Sequence, residues 1–300
     1  MDNEFLLQDR LQKIQQIINQ YGEDNFYISY SGGMDSNVLS TLVDMVLPNN
    51  KIPRVYADTG IELNAVRDFV KFKAAADDRF VIIKPRTPIK TMLEEKGYPF
   101  KSKFHSCMVD IYQRNGETKS IMKYLRHDPT VTTYFSSHCC PKKLTYQFSD
   151  DFKLKISAKC CDELKKKPLD EYQKQNNKPY KILGIMTAEG GQRETAQCLA
   201  FSGKKLKAFQ PLVPVTKEWE KWFIEKYGIE LPIIYYPPYN FERSGCKGCP
   251  FNLHLQHDLD ILQQYFPNER KQCERIWKPV YDEYRRIGYR LKKENKDDNT

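Results

Sequence analysis

The chain lacks any apolar run near the ~18 residues that a membrane-spanning helix needs, and its start, MDNEFLLQDR, is acidic and polar. That start also lacks the basic stretch and apolar core of a secretory leader, so a soluble chain in a reducing, cytoplasmic setting is expected. There is no internal repeat. The cysteine count is odd: nine thiols cannot pair completely. Without a leader, they are expected to include metal ligands or reactive thiols rather than a disulfide framework.

What is present is ordinary globular material, 300 residues at 40% hydrophobic and 29% charged, enough for one large domain or two modest ones. Lys and Arg number 48 against 39 Asp and Glu, leaving +9. The excess suits a polyanionic partner or phosphorylated substrate, and equally a set of solvated helix faces.

Leu6, Leu7, Leu11, Ile14, Ile17 and Ile18 recur at helical spacing. A β-rich run at Phe26 to Tyr30 is followed by a Gly32-Gly33 turn and a helix marked by Val38, Leu39, Leu42, Val43 and Val46. Strands are expected at Ile52 to Ala57, Phe80 to Ile83, Lys181 to Ile185 and Leu206 to Phe209, with a helix carrying Leu63, Val66, Phe69 and Val70 between the first two. This alternation predicts an α/β fold, a doubly wound and mainly parallel sheet. The stretch from about 98 to 155 has no clear period and reads as an insertion or lid. The expected organisation is a nucleotide-binding α/β domain over 1–232 and a C-terminal helical segment over 233–300.

Between a strand and a helix stands Ser31-Gly32-Gly33-Met34-Asp35-Ser36. Glycines let the backbone turn so that successive N–H groups face inward, and the helix N-terminus and serine hydroxyls add further attraction for an anion. No Gly-Lys-Ser/Thr follows, so this is not a Walker A loop. SGGMDS resembles the PP-loop of the ATP pyrophosphatase superfamily, and Tyr56-Ala57-Asp58-Thr59-Gly60-Ile61-Glu62 resembles the second strand end of its phosphoadenosine phosphosulfate (PAPS) reductase family. The resemblance implies an adenine nucleotide alpha-hydrolase-like fold, ATP with Mg²⁺, and release of pyrophosphate as AMP is transferred. Ser31, Gly32, Gly33, Asp35, Ser36 and Asp58 would then hold the nucleotide.

Cys160-Cys161 and Cys246-Lys247-Gly248-Cys249 form two thiol pairs. On chemistry alone four sulfurs suit zinc or an iron–sulfur cluster about equally, although an adjacent Cys-Cys pair is awkward for a zinc knuckle. The context CCDELKKKPL and RSGCKGCP resembles the cluster-bearing subgroup containing adenylylsulfate (APS) reductases and DNA phosphorothioation ATPases. That likeness implies a 4Fe–4S cluster on Cys160, Cys161, Cys246 and Cys249. LGIMTAEGGQRE is similar to the same family and yields Gly184, Glu189 and Arg193, with Arg193 facing phosphate or sulfate. FQPLVPVTKEW, Phe209 to Trp219, resembles the segment leading into the family's last sheet-packing helix.

Departures from the pattern decide the activity. Gly190 replaces the usual serine, Met186 stands where reductases often carry arginine, and no cysteine follows Cys273 to supply the tail nucleophile of an APS or PAPS reductase. The expectation is therefore an ATP-dependent adenylating enzyme in sulfur transfer, with Asp35 and Arg193 catalytic. The acceptor would be a nucleic acid or small molecule, and the sulfur source a cysteine desulfurase or other donor. A sulfonucleotide reductase and a non-catalytic nucleotide- or nucleic-acid-binding subunit are the alternatives. Cys198 and Cys273 read as core residues on apolar-patterned helices. His105-Ser106-Cys107 and His138-Cys139-Cys140 pair His with Cys, a pattern for an activated thiol or for incidental structural ones. Lys142, Lys143, Lys165, Lys166 and Lys167 are a candidate phosphate-backbone contact or a solvated face.

Overall fold

The computed structural model describes residues 2–128, 139–190 and 193–293. The chain packs as two compact units, Met1–Arg86 with Lys165–Gly245, and Thr87–Leu164 with Cys246–Thr300. The expected division at 232/233 follows the chain, whereas these units follow packing: the expected insertion and most of the C-terminal segment fall in the same unit.

The first unit is a six-stranded sheet in the order β3-β2-β1-β4-β6-β5. Its elements in chain order begin with α1 (Asn3–Tyr21), β1 (Phe26–Ser29), α2 (Met34–Val46), β2 (Arg54–Ala57), α3 (Asn64–Ala76) and β3 (Phe80–Ile83). They continue with α7 (Lys167–Gln175), β4 (Tyr180–Ile182), β5 (Leu199–Ser202), β6 (Lys205–Phe209) and α8 (Lys217–Tyr227). β1, β2, β3, β4 and β6 pair in parallel, and only β5 runs antiparallel, as a hairpin on β6.

Side-chain alternation along β1 sets the two faces. Phe26 and Ile28 join a buried cluster with Leu7, Ile14 and Ile18 of α1, Val38, Leu42 and Val43 of α2, and Trp219 and Phe223 of α8. Tyr27 points the other way, its ring edge-on to Tyr172 of α7 at 5.8 Å. The chain winds outward from β1 through β2 to β3, then returns to place β4 on the other side of β1. The carboxyl end of β1 is therefore a topological switch point, where open α/β sheets form a ligand crevice. The fold class is the doubly wound, mostly parallel α/β sheet expected.

The second unit holds α4 (Ile89–Lys96), α5 (Lys103–Asn115), α6 (Lys119–Leu125), α9 (Leu255–Tyr265) and α10 (Pro267–Ile287). Two of these helices, α5 and α6, occupy the stretch that shows no period by apolar residues. The reason is chemical: α5 buries His105 and Ser106, which break an apolar pattern. His105 bonds the Tyr124 hydroxyl at 2.9 Å and Gln147 Oε1 at 2.7 Å, and the Ser106 hydroxyl bonds Phe100 O at 2.9 Å. Cys198 is not helical; it precedes β5, a strand without β-branched residues.

Candidate functional site

The loop after β1 is shaped by its glycines. Gly32 has φ +74°, and a Cβ there would stand 2.9 Å from Val66 and Val70 of α3, so only glycine fits under that helix. A Cβ on Gly33 would collide with the Ser244 hydroxyl and lie 3.1 Å from the Tyr235 hydroxyl. Gly33 is also the N-cap of α2, with no side-chain cap on the helix N–H groups. Ser31 Oγ accepts the Gly33 N–H at 3.3 Å and meets Ser36 Oγ at 3.2 Å. Asn37 Nδ2 ties back to the carbonyls of Gly32 and Gly33 at 3.3 and 2.9 Å. Ser31, Gly32, Gly33 and Ser36 thus form one compact cradle at an uncapped helix start, a geometry suited to an anion.

Asp35 lies at its rim, half-buried. Lys217 Nζ, from the first turn of α8, bonds Asp35 Oδ1 at 3.0 Å and Glu220 Oε2 at 2.9 Å. Thr216 caps that turn, its Oγ1 accepting the Trp219 N–H at 3.2 Å, which sets Lys217 and Glu220 side by side. Glu220 is buried, and its Oε1 has no hydrogen-bond partner. Burial, and then Asp35 next to it, push the Glu220 carboxyl up to about 8. One ammonium serves two carboxylates, so the pair holds a proton at neutral pH. Arg193 is drawn into the same group: burial lowers its guanidinium, with the Asp35 carboxylate opposing and Arg243 adding to the effect. Gly184, just past β4, comes so close that a Cβ would stand 3.0 Å from the Asp35 carbonyl. Asp35, Arg193 and Gly184 therefore gather at one place. Glu189 lies in the short helical turn Thr187–Glu189 between the last two.

Asp58, expected beside the nucleotide, directly follows β2 and is bound by residues of its own unit. Its oxygens accept Arg67 Nε and Nη2 at 2.9 Å each, and Oδ1 takes the Gly60 N–H at 3.0 Å. Burial raises this carboxyl, but the Arg67 fork and the Gly60 N–H outweigh it and hold it below the usual range. Glu62 beside it accepts the Thr59 hydroxyl at 2.8 Å and pairs with Lys165 at 3.1 Å. Lys165 is thus occupied by an acid of its own unit, whereas Lys142, Lys143, Lys166 and Lys167 are exposed. Lys217, Glu220, Tyr235 and Ser244 were not legible as site residues. The one available signal was their position, in the segment leading into α8 and just before Cys246.

Eight of the nine cysteines, all but Cys198, belong to the second unit. Cys160 and Cys161 open a helix that passes through a π-turn at Asp162–Lys166, a distortion that often marks functional positions. Cys246 to Cys249 form a turn closed by a Cys249 N–H to Cys246 O bond of 3.2 Å. The Cys160 thiol is pushed well up by its bond to Cys161, by burial, and by the charges of Cys161, Cys249 and Cys246. Cys246 and Cys249 are thus close enough for their charges to act on the Cys160 thiol. Among the described residues, no group of three or more His, Cys, Asp or Glu side chains is set for holding a metal ion. By donor chemistry alone four sulfurs suit a soft centre, and Cys160 is buried.

Cys107, Cys140 and Cys273 are each held towards the protonated thiol. Burial pushes Cys140 and Cys273 each up to about 12. Cys107 is exposed yet raised, by partial burial and the nearby Asp110 and Asp162. His105, lowered to about 4 by burial, is neutral and cannot activate a thiol as an imidazolium. His138 lies outside the described residues. An open cleft of about 670 Å³ in the second unit is lined by Lys96, Arg114, Lys153 and Lys159, but Asp110 pairs with two of them, at 2.9 and 3.6 Å.

Strand order defines a doubly wound, mostly parallel α/β protein, with the glycine loop at its switch point. No family model and no curated protein matches the chain. Solved structures similar to it include a PAPS reductase from Candida auris in a phosphate complex, with 13% identity, TM-score 0.43, and 77% of this chain and 87% of that one covered. An NH3-dependent NAD synthetase from Campylobacter jejuni with nitrate is similar at 12% identity and TM-score 0.39, covering 94% and 96%. A U34-tRNA thiolase from Methanococcus maripaludis with its [4Fe-4S] cluster is similar at 14% identity and TM-score 0.37, covering 93% and 80%. Among the described residues no helix is long and apolar enough to cross a membrane.

Proposed function

We propose that the chain is a PP-loop ATP pyrophosphatase of PAPS reductase type that adenylates a substrate oxygen in sulfur transfer. The observation carrying this reading is the cradle at the β1 switch point, with Asp35, Lys217 and Arg193 gathered on it. The substrate oxygen attacks the α-phosphorus, the α–β bridging bond breaks, and pyrophosphate leaves with the electron pair. A sulfur nucleophile then displaces AMP.

The residues supply charge and geometry. Amide N–H groups and serine hydroxyls of the cradle neutralise the leaving phosphates, and Arg193 and Lys217 face charge developing at phosphorus. A phosphate arriving near Lys217 competes with Asp35 and Glu220 for its ammonium, and the proton on Glu220 keeps that exchange from stranding two bare carboxylates. Asp35, half-buried at the rim of the cradle, is the oxygen donor that would hold Mg²⁺, which when bound screens the phosphate charge. Cys160, Cys161, Cys246 and Cys249 would hold a 4Fe–4S cluster, which when bound supplies a site for sulfur or electron handling. The acceptor would be a nucleic acid or a small molecule, and the sulfur would come from a separate donor such as a cysteine desulfurase.

Cys273 does not serve as a reductase nucleophile, since it is fully buried on α10. Anaerobically purified protein is incubated with labelled ATP, and separately with PAPS and a reductant. Pyrophosphate from ATP, abolished by Asp35→Ala, is expected. Release unchanged in that variant, or sulfite from PAPS, overturns the assignment.

A further inference from the structure

The Cys246-to-Cys249 turn is held from one side by a single helix. Trp277 Nε1 of α10 donates to the Lys247 carbonyl at 3.0 Å. The Tyr281 hydroxyl donates to the Gly248 carbonyl, and the Tyr284 hydroxyl to the Pro250 carbonyl at 2.9 Å. Positions 277, 281 and 284 share one face of a helix, so a row of three donors meets carbonyls along the loop. Upstream on α10, Glu269 pairs with the Lys247 ammonium at 2.9 Å, and Gln272 takes it at 2.7 Å. Lys247, Glu269, Trp277, Tyr281 and Tyr284 are all buried.

The turn is equally constrained from within. Gly248 has φ +60°, while Lys247 stays in the usual negative range, the type II pattern. A Cβ on Gly248 would collide with the Tyr281 hydroxyl and stand 2.8 Å from Cys273 Sγ. Packing of this density on both backbone and side chain exceeds what an ordinary surface turn needs.

We propose that Trp277 and Tyr281 are positioning residues that hold Cys246 and Cys249 as a preformed two-thiolate hook for a soft metal centre. This rests on the four-thiol reading of the second unit but not on ATP chemistry. The donors fix the carbonyls between the cysteines, so the loop's conformational entropy is lost during folding and not at metal capture.

The test uses the full reduced chain, anaerobic and metal-free, titrated with Co²⁺ and read by thiolate-to-cobalt charge-transfer absorption. Wild type is expected to bind, and Cys246→Ala with Cys249→Ala to lose the band. Tyr281→Phe and Trp277→Phe keep ring volume but remove the donor, and each is expected to weaken Co²⁺ binding about five- to tenfold. Their band should also shift, while ATP-dependent pyrophosphate release assayed before metal loading stays at the wild-type value. Co²⁺ affinity and band identical to wild type overturn the proposal. So does a Tyr281→Phe chain with no cooperative unfolding transition, since that hydroxyl would then support the whole unit. Wild type without Co²⁺ binding overturns it together with the cluster reading, and leaves pyrophosphate release as the separate test of the nucleotide chemistry.

Discussion

Glu220 is a buried acid that shares one lysine with Asp35 and carries a proton because it has no second cation. Its folded value, about 8, lies above the ordinary 4.5, so the folded state binds the extra proton across that window. The contribution is fully present below pH 4.5 and is lost as pH rises through about 8. Glu220→Gln is therefore expected to flatten the stability curve between those limits, read by chemical denaturation at several pH values. Asp58 has the opposite sign: its folded carboxyl is lowered by Arg67, so its contribution is present above the unfolded value and is lost as the solution turns acid. Asp58→Ala leaves Arg67 without its fork, with an expected loss of about 2–3 kcal/mol at neutral pH that shrinks on acidification. Asp35 and Arg193 were legible as site residues because they sit inside motifs. Glu220 was not, since a glutamate in the first turn of a helix is commonplace until the fold puts it against Asp35.

At the scale of elements, the parallel strands were legible to within three residues at either end, because short apolar runs bounded by turns have few alternatives. β5 was not, as Leu199 to Ser202 owes its conformation to pairing with β6 rather than to its own residues. α5 was hidden by its buried His105 and Ser106. α8 shows how an element serves the site: its Thr216 cap fixes the turn that carries Lys217 and Glu220. Thr216→Ala should cost about 1 kcal/mol and weaken nucleotide binding as the turn frays, measured by thermal unfolding and by titration with a nonhydrolysable ATP analogue. Gly248→Ala tests the other unit. The added methyl meets Tyr281 and Cys273 at a positive φ, so a loss of about 2–3 kcal/mol is expected from strain and overpacking together.

For the whole molecule, the proposed chemistry follows the two units: the glycine loop with Asp35 lies in the first, and eight of the nine cysteines lie in the second. Within the +9 excess, Lys165 and Lys217 are held by acids of their own unit. The three tryptophans follow the same division and make it measurable. Trp219 and Trp222 lie on α8, within five residues of Lys217, and Trp277 donates to the carbonyl between the two loop cysteines. An anaerobically loaded chain treated with an iron chelator should change the emission of Trp277, since its indole N–H is bonded to the disturbed turn. The change should vanish in Trp277→Phe. ATP should instead act on the α8 pair, and that response should survive in Trp277→Phe. A chelator response that persists without Trp277 would place the metal away from the Cys246 turn, because α8 carries no ligand of the four-thiol set.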